Sequence, residues 1–305
     1  AAGGLMADAV TDIVQGGVLI IGLIIVFFIV IADLGGVSAA ISQIDDNRLV
    51  LFPSHGGWRQ TWLVNMEAWL VPICGSVVAQ ELIARVLASK NATVARRSCY
   101  LATAMYLAIG IIPLSIGLLG PHVIPDIADP EHLLTKVVEM HAPKLFFIIF
   151  IGALLSAILS TVDSALLAAS TLTTENLIAT WRPLTGVQKL RINRIGVMTF
   201  GTAAYFFAVY GGGVYDLVED ASSFGSAGIF MLMIFGLFSK LGGRITAYAT
   251  LVVGASVWIV GTYTFELDYP YVLALAAALA TYLAIGWFER AGGSNHEASA
   301  LTAPN

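Results

Sequence analysis

The residues best placed to do chemistry form one run, Ser156-Ala157-Ile158-Leu159-Ser160-Thr161-Val162-Asp163-Ser164. On a helix, Ala157, Ser160 and Thr161 are spaced i, i+3 and i+4 and share one face. Two hydroxyls, together with a backbone carbonyl freed by a local opening, are hard oxygen ligands of the kind an alkali cation takes. Asp163 follows one turn below Ser160 and could attract or relay that ion. The same hydroxyls could instead return to the carbonyl four residues back and ease helix packing, a role that needs no carboxylate.

Two further groups carry polar character into apolar surroundings. In Trp69-Leu70-Val71-Pro72-Ile73-Cys74-Gly75-Ser76, Pro72 removes a backbone donor while Gly75 and Ser76 add flexibility. A helix broken there would free N–H and C=O groups, which is tolerable at membrane depth only where they line a cavity, as in secondary transporters. A plain proline kink fits the same residues. Just beyond, Glu81 stands four residues before Arg85, the spacing of an ordinary helix-end ion pair. In Tyr215-Asp216-Leu217-Val218-Glu219-Asp220, three carboxylates open a helical stretch. They suit the positive end of the helix dipole, or alternatively form a mouth that favours cations.

The elements that must hold these groups are membrane helices. Mean hydropathy is +0.84, and charged residues make up 11% of the 305, far below the roughly 25% of soluble domains. Continuous apolar runs predict eight spans near 9–32, 63–87, 97–120, 144–178, 190–210, 214–238, 244–264 and 269–289. The runs do not alternate, which excludes a barrel. With the N-terminus inside, eleven of the 15 Lys and Arg residues fall on the inner side and four on the outer. Both ends of the segment are therefore expected in the cytoplasm and the protein in the inner (plasma) membrane. Residues 1–291 read as one transmembrane domain, and 292–305 as a disordered cytoplasmic tail. The first residue is not an initiator Met, so the chain is expected to begin inside a longer protein.

Enzyme constellations are missing from the sequence: there is no GxSxG, no Walker A, no HExxH and no paired Cys/His set. Cys74 and Cys99 lie in or beside apolar runs, outside any CxxC or His-rich setting. A net charge of −5, with basic residues accounted for by topology, gives no support to nucleic-acid binding.

At these motifs the sequence resembles the sodium/solute symporter family, whose members include sodium-coupled sugar, proline, pantothenate and choline transporters. Ala9-Val10-Thr11-Asp12-Ile13-Val14-Gln15 is similar to the family's [WY]TDxxQ segment. Gln80 through Arg85-Val86-Leu87-Ala88-Ser89-Lys90 resembles its QRxLASK segment at the inner end of the sixth core helix, with Ala84 where the family often has Gln. Gly152 through Ser164 resembles the GAxxAAIxSSxDS run of the eighth core helix, in a variant that looks closest to the choline-transporter-like branch. A weaker likeness joins Gly228–Lys240 to the tenth core helix.

The resemblance implies an all-α, partial LeuT-like core of inverted repeats, in which the eight spans are core helices five to ten plus two peripheral ones. It implies a sodium ion held by the Ala157 carbonyl and the Ser160 and Thr161 hydroxyls, and cation coupling at Asp12, with Asp163 added from the spacing above. Substrate contacts are implied at Trp69, Gly75 and Ser76, then at Asp216 and Glu219. The expected activity is inward symport of a small polar organic solute with sodium, with no cofactor beyond the coupling ion. Partners would be that solute, sodium, the lipid bilayer and core helices one to four, supplied by the rest of the chain or by another protein. A symporter-like sensory or regulatory domain and an inactive fragment are the rival expectations.

Overall fold

The computed structural model describes residues 4–54, 56–125 and 127–301. Among the described residues every regular element is helical. In chain order these are α1 (Gly4–Asp33), α2 (Val37–Ser42), α3 (Trp58–Val77), α4 (Gln80–Leu87), α5 (Ala92–Val123), α6 (Leu133–His141), α7 (Lys144–Leu172), α8 (Ala179–Trp181), α9 (Gly186–Tyr210), α10 (Val214–Ser223), α11 (Ser226–Phe238), α12 (Arg244–Tyr263) and α13 (Pro270–Leu301). A π-helical segment, Thr173–Ile178, joins α7 to α8.

Among the described residues, six spans are long and apolar enough to cross a membrane: α1, α5, α7 continuing to Trp181, α9, α12 and α13. The bent pair α10 and α11 makes a seventh when taken as one span. The chain is thus a multi-pass, all-helical membrane protein. Eight spans were expected, and the difference is α3, whose Arg59, Gln60, Asn65 and Glu67 lower its hydropathy below that of the others.

The chain forms two compact units. One comprises the residues up to Val50 with Ala84–Tyr205. Its apolar core joins Val26, Val30 and Ile31 of α1 to Ile116 and Leu119 of α5, Val137 and Val138 of α6, and Phe150 of α7. This places the core at the C-terminal ends of α1 and α5 and at the start of α7. Helix α1 stops where Gly35 and Gly36 adopt φ of +85° and +106°, values open to glycine, and the Gly36 N–H closes the helix end on the Ile31 carbonyl at 2.8 Å. Helix α5 starts at Asn91, whose side chain accepts from the Val94 N–H at 2.9 Å. Most of α5 and all of α9 bury nothing within the protein, and their exposed apolar faces fit contact with lipid.

The other unit comprises Leu51–Ile83 and the residues from Phe206 on. Here α11, α12 and α13 pack backbone to backbone. A Cβ added to Gly254 would lie 3.0 Å from the Gly228 nitrogen, so only glycine lets these helices approach so closely. Val71 and Cys74 of α3 complete the core with Ala227, Trp258, Tyr271 and Ala274.

Two local expectations change. Helix α3 passes through Pro72 unbroken and ends at Val77, so the proline leaves the helix intact. A single missing N–H removes one bond, and burial of Val71 and Cys74 on either side holds the turn. The predicted second span breaks just past Gly75 and Ser76, where α3 ends at Val77 and α4 begins at Gln80, and the predicted sixth span also breaks, between α10 and α11, where the axes turn by 43°. Helix α13 runs to Leu301, and residues 302–305 lie outside the described residues.

Candidate functional site

In the first unit the polar residues of α1 meet those of α7. Asp12 and Gln15 are three apart on α1, and Ser156 and Ser160 four apart on α7, so each pair lies on one face of its helix. The Ser160 hydroxyl donates to Asp12 Oδ1 at 2.5 Å, and Gln15 Nε2 donates to the Ser156 hydroxyl at 2.8 Å. Arg85 donates to the second Asp12 oxygen at 2.9 Å. Asp12 is about a quarter exposed and the Arg85 side chain more than half exposed, so the pair is open to water at one side. The Gln15 Oε1 atom is buried without a hydrogen-bond partner. Carboxylate, amide and hydroxyl oxygens therefore converge on one patch, a donor set suited to a hard monovalent cation.

Of the predicted ligands, Ser160 belongs to this patch. Thr161 donates to the Ala157 carbonyl at 3.1 Å, so these two oxygens are adjacent on α7 and meet each other in the back-bonding pattern. The local opening expected to free that carbonyl is not formed, because α7 is unbroken from Lys144 to Leu172. Asp163 is exposed one turn further on.

The residues implied in solute binding lie in the second unit. Trp69 is half-exposed on α3, its ring 6.2 Å from that of Phe52. Gly75 packs against α10 so closely that an added Cβ would fall 2.8 Å from the Ser222 carbonyl oxygen. Ser76 is exposed, as are Asp216 and Glu219 on α10. The structure thus brings α3 and α10 together through Gly75 and Ser222 and leaves the Asp216 and Glu219 carboxylates open.

Sequence reading missed several partners. Arg85 is held by Asp12, where the spacing suggested Glu81, whose side chain lies outside the described residues. Glu67 is buried, and its two oxygens accept from the Tyr271 and Val272 N–H groups at 2.7 Å each, capping α13. Glu289 does the same for α12, accepting from Gly243 N at 2.6 Å, Thr246 N at 3.1 Å and the Thr246 hydroxyl. An isolated Glu in an apolar stretch was the available signal. The partner of Glu67 is a helix start 204 residues away and that of Glu289 one 46 residues away, pairings that local spacing does not reveal.

The sodium:solute symporter family matches residues 1–261. The chain is 24% identical over 268 residues to the sodium/pantothenate symporter of Haemophilus influenzae, covering 85% of this chain and 55% of that protein. It is 25% identical over 305 residues to the osmoregulated proline transporter of Bacillus subtilis, covering 91% and 59%. It is 26% identical over 281 residues to the human high affinity choline transporter 1, covering 85% and 47%. The chain spans about half the length of the curated relatives it matches.

Proposed function

The chain belongs to the sodium:solute symporter family, and from that premise we propose that it works in sodium-coupled import of a small polar organic solute across the plasma membrane, by alternating access in a LeuT-type core. The observation that carries this is the meeting of Asp12 with Ser160. It sets a carboxylate against Ser160, the neighbour of Thr161, whose hydroxyl is bonded to the Ala157 carbonyl in this structure and would turn from it to the ion. In this reading sodium is held by Ala157, Ser160 and Thr161 and leaves by way of Asp12, with Asp163 drawing it toward the cytoplasm. Arrival of the cation competes with Arg85 for the Asp12 carboxylate, so ion occupancy and the Arg85 contact exclude each other.

The solute binds between α3 and α10, at Trp69, Gly75 and Ser76 and at Asp216 and Glu219. Pantothenate, proline and choline, the solutes named in the relatives, are the first probes, and the acidic α10 favours the zwitterion and the cation. Core helices one to four are supplied by further sequence or by a partner protein. Both ends of this segment face the cytoplasm, as the distribution of Lys and Arg supports.

The test is uptake of the three labelled solutes by proteoliposomes carrying the complete gene product, with and without a sodium gradient. Ser160→Ala and Thr161→Ala are each expected to raise the sodium concentration for half-maximal uptake. Unchanged sodium dependence in both variants removes the site assignment, and gradient-independent uptake removes the coupling.

A further inference from the structure

The break between α10 and α11 is held by groups that none of the transport roles above uses. Phe224 ends α10, and Gly225 takes φ +72°, a left-handed conformation natural to glycine. Ser226, the first residue of α11, is buried. Its hydroxyl lies 3.3 Å from the Ser223 carbonyl on α10 and 3.0 Å from the Tyr271 hydroxyl on α13. Tyr271 is fully buried and is fixed at its other end as well, since its N–H donates to Glu67 of α3. A hydrogen-bonded relay therefore runs from α3 through the N-terminus of α13 to the hinge.

The two sides of the hinge are built differently. Below it, α11 is clamped: Ser226, Ala227 and Gly228 are buried, and Gly228 packs on the Thr250 and Leu251 backbone. The Phe224 ring meets buried Trp258 edge-on at 5.8 Å. Above it, α10 is an exposed arm with Ser223 as its buried residue, seated on α3 where Ser222 meets Gly75. An exposed arm joined through a left-handed glycine to a clamped base can pivot.

We propose that Tyr271 is a positioning residue that sets the angle of the α10 arm, through its hydroxyl contact with Ser226 at the Phe224–Gly225 break. Without that contact the first turn of α11 is no longer fixed to the start of α13 at the break itself, while α11 stays packed on α13 lower down through Phe235 and Tyr282; the Phe224–Gly225 turn loosens and the arm gains a second orientation away from Gly75. Asp216 and Glu219 ride on the arm, so its angle sets where those carboxylates stand. This last consequence rests on the transport reading; the pivot itself does not.

The experiment places spin labels on the complete protein at Val218→Cys of α10 and Val252→Cys of α12, both exposed, with exposed Cys99 changed to Ser and buried Cys74 left in place. A second pair, Leu237→Cys of α11 with Val252→Cys, reports the base. Tyr271→Phe keeps the ring's packing but also removes the hydroxyl's contact with Cys74 of α3, so Ser226→Ala, which leaves that contact in place, approaches the hinge contact from the other side. Each is expected to raise the share of a second α10–α12 distance roughly fivefold, the population change that corresponds to about 1 kcal/mol for one lost neutral hydrogen bond. The α11–α12 distance stays as it was, and the double variant goes no further than Ser226→Ala alone, which removes the Ser223 contact as well. Unchanged α10–α12 distances in both singles overturn the proposal, as does equal broadening of both label pairs, which marks general loosening. A protein that shows no sodium-driven uptake would defeat the transport reading and leave this measurement intact.

Discussion

Asp12 in the first unit and Glu67 and Glu289 in the second are held in opposite ways. In the first, Asp12 is bound by side chains, Ser160 and Arg85, and is about a quarter exposed. In the second, Glu67 and Glu289 are bound mainly by backbone N–H groups at the starts of α13 and α12. Side-chain partners can let go and be replaced by an ion with little disturbance of the helices. Backbone N–H groups at a helix start have no other partner at hand, so the carboxylate that caps them is part of the fold. An acidic residue at membrane depth is thus a functional suspect only once its partner is known.

The strongest way to break this contrast is Glu67→Ala. It leaves two buried N–H groups unsatisfied and is expected to lower stability by about 3 kcal/mol, read as a fall in the thermal unfolding midpoint of the purified protein. Glu67→Gln, which keeps one acceptor, should lose about half as much. A midpoint unmoved by either change would mean that the cap is not structural. Next in size, Gly75→Ala drives a Cβ against the Ser222 backbone and should cost about 2 kcal/mol by overpacking, visible as a lower midpoint together with displaced α10.

Asp12→Asn sharpens the other side of the comparison. It removes the Arg85 pair and the charge offered to a cation, and the sodium needed for half-maximal uptake should rise about tenfold, roughly 1.4 kcal/mol. The unfolding midpoint should barely change, since a partly exposed pair contributes about 1 kcal/mol or less. A large loss of stability with unaltered sodium response would put Asp12 in the same class as Glu67. The smallest effect is expected for Ser156→Ala, which removes the Gln15 contact at a stability change of about 0.5 kcal/mol. Uptake kinetics at limiting sodium would separate a share in the ion patch from simple packing there.

What could be read before the structure depended on range. The long apolar helices follow from composition alone, since a bilayer asks only for length and lack of charge. The α7 face was legible because i, i+3 and i+4 spacing is local to one helix. Pro72 keeps its own turn, because proline costs one bond and burial of Val71 and Cys74 holds the helix there, and the break comes after Val77, just past Gly75 and Ser76. Gly225 was present as a signal, yet an isolated glycine inside an apolar helix is usually tolerated, and its left-handed turn follows from how α11 is clamped by α12 and α13.

By itself, then, the sequence determined that this is a multi-pass helical membrane protein with one oxygen-rich helix face and the motifs of a sodium:solute symporter, because each is a matter of composition or of neighbours along the chain. Only the tertiary structure decided that Asp12 meets Ser160 across 148 positions and that Glu67 meets Tyr271 across 204. Contacts at that separation are chosen by how helices pack and which buried polar groups must find partners, and neither is written in local spacing.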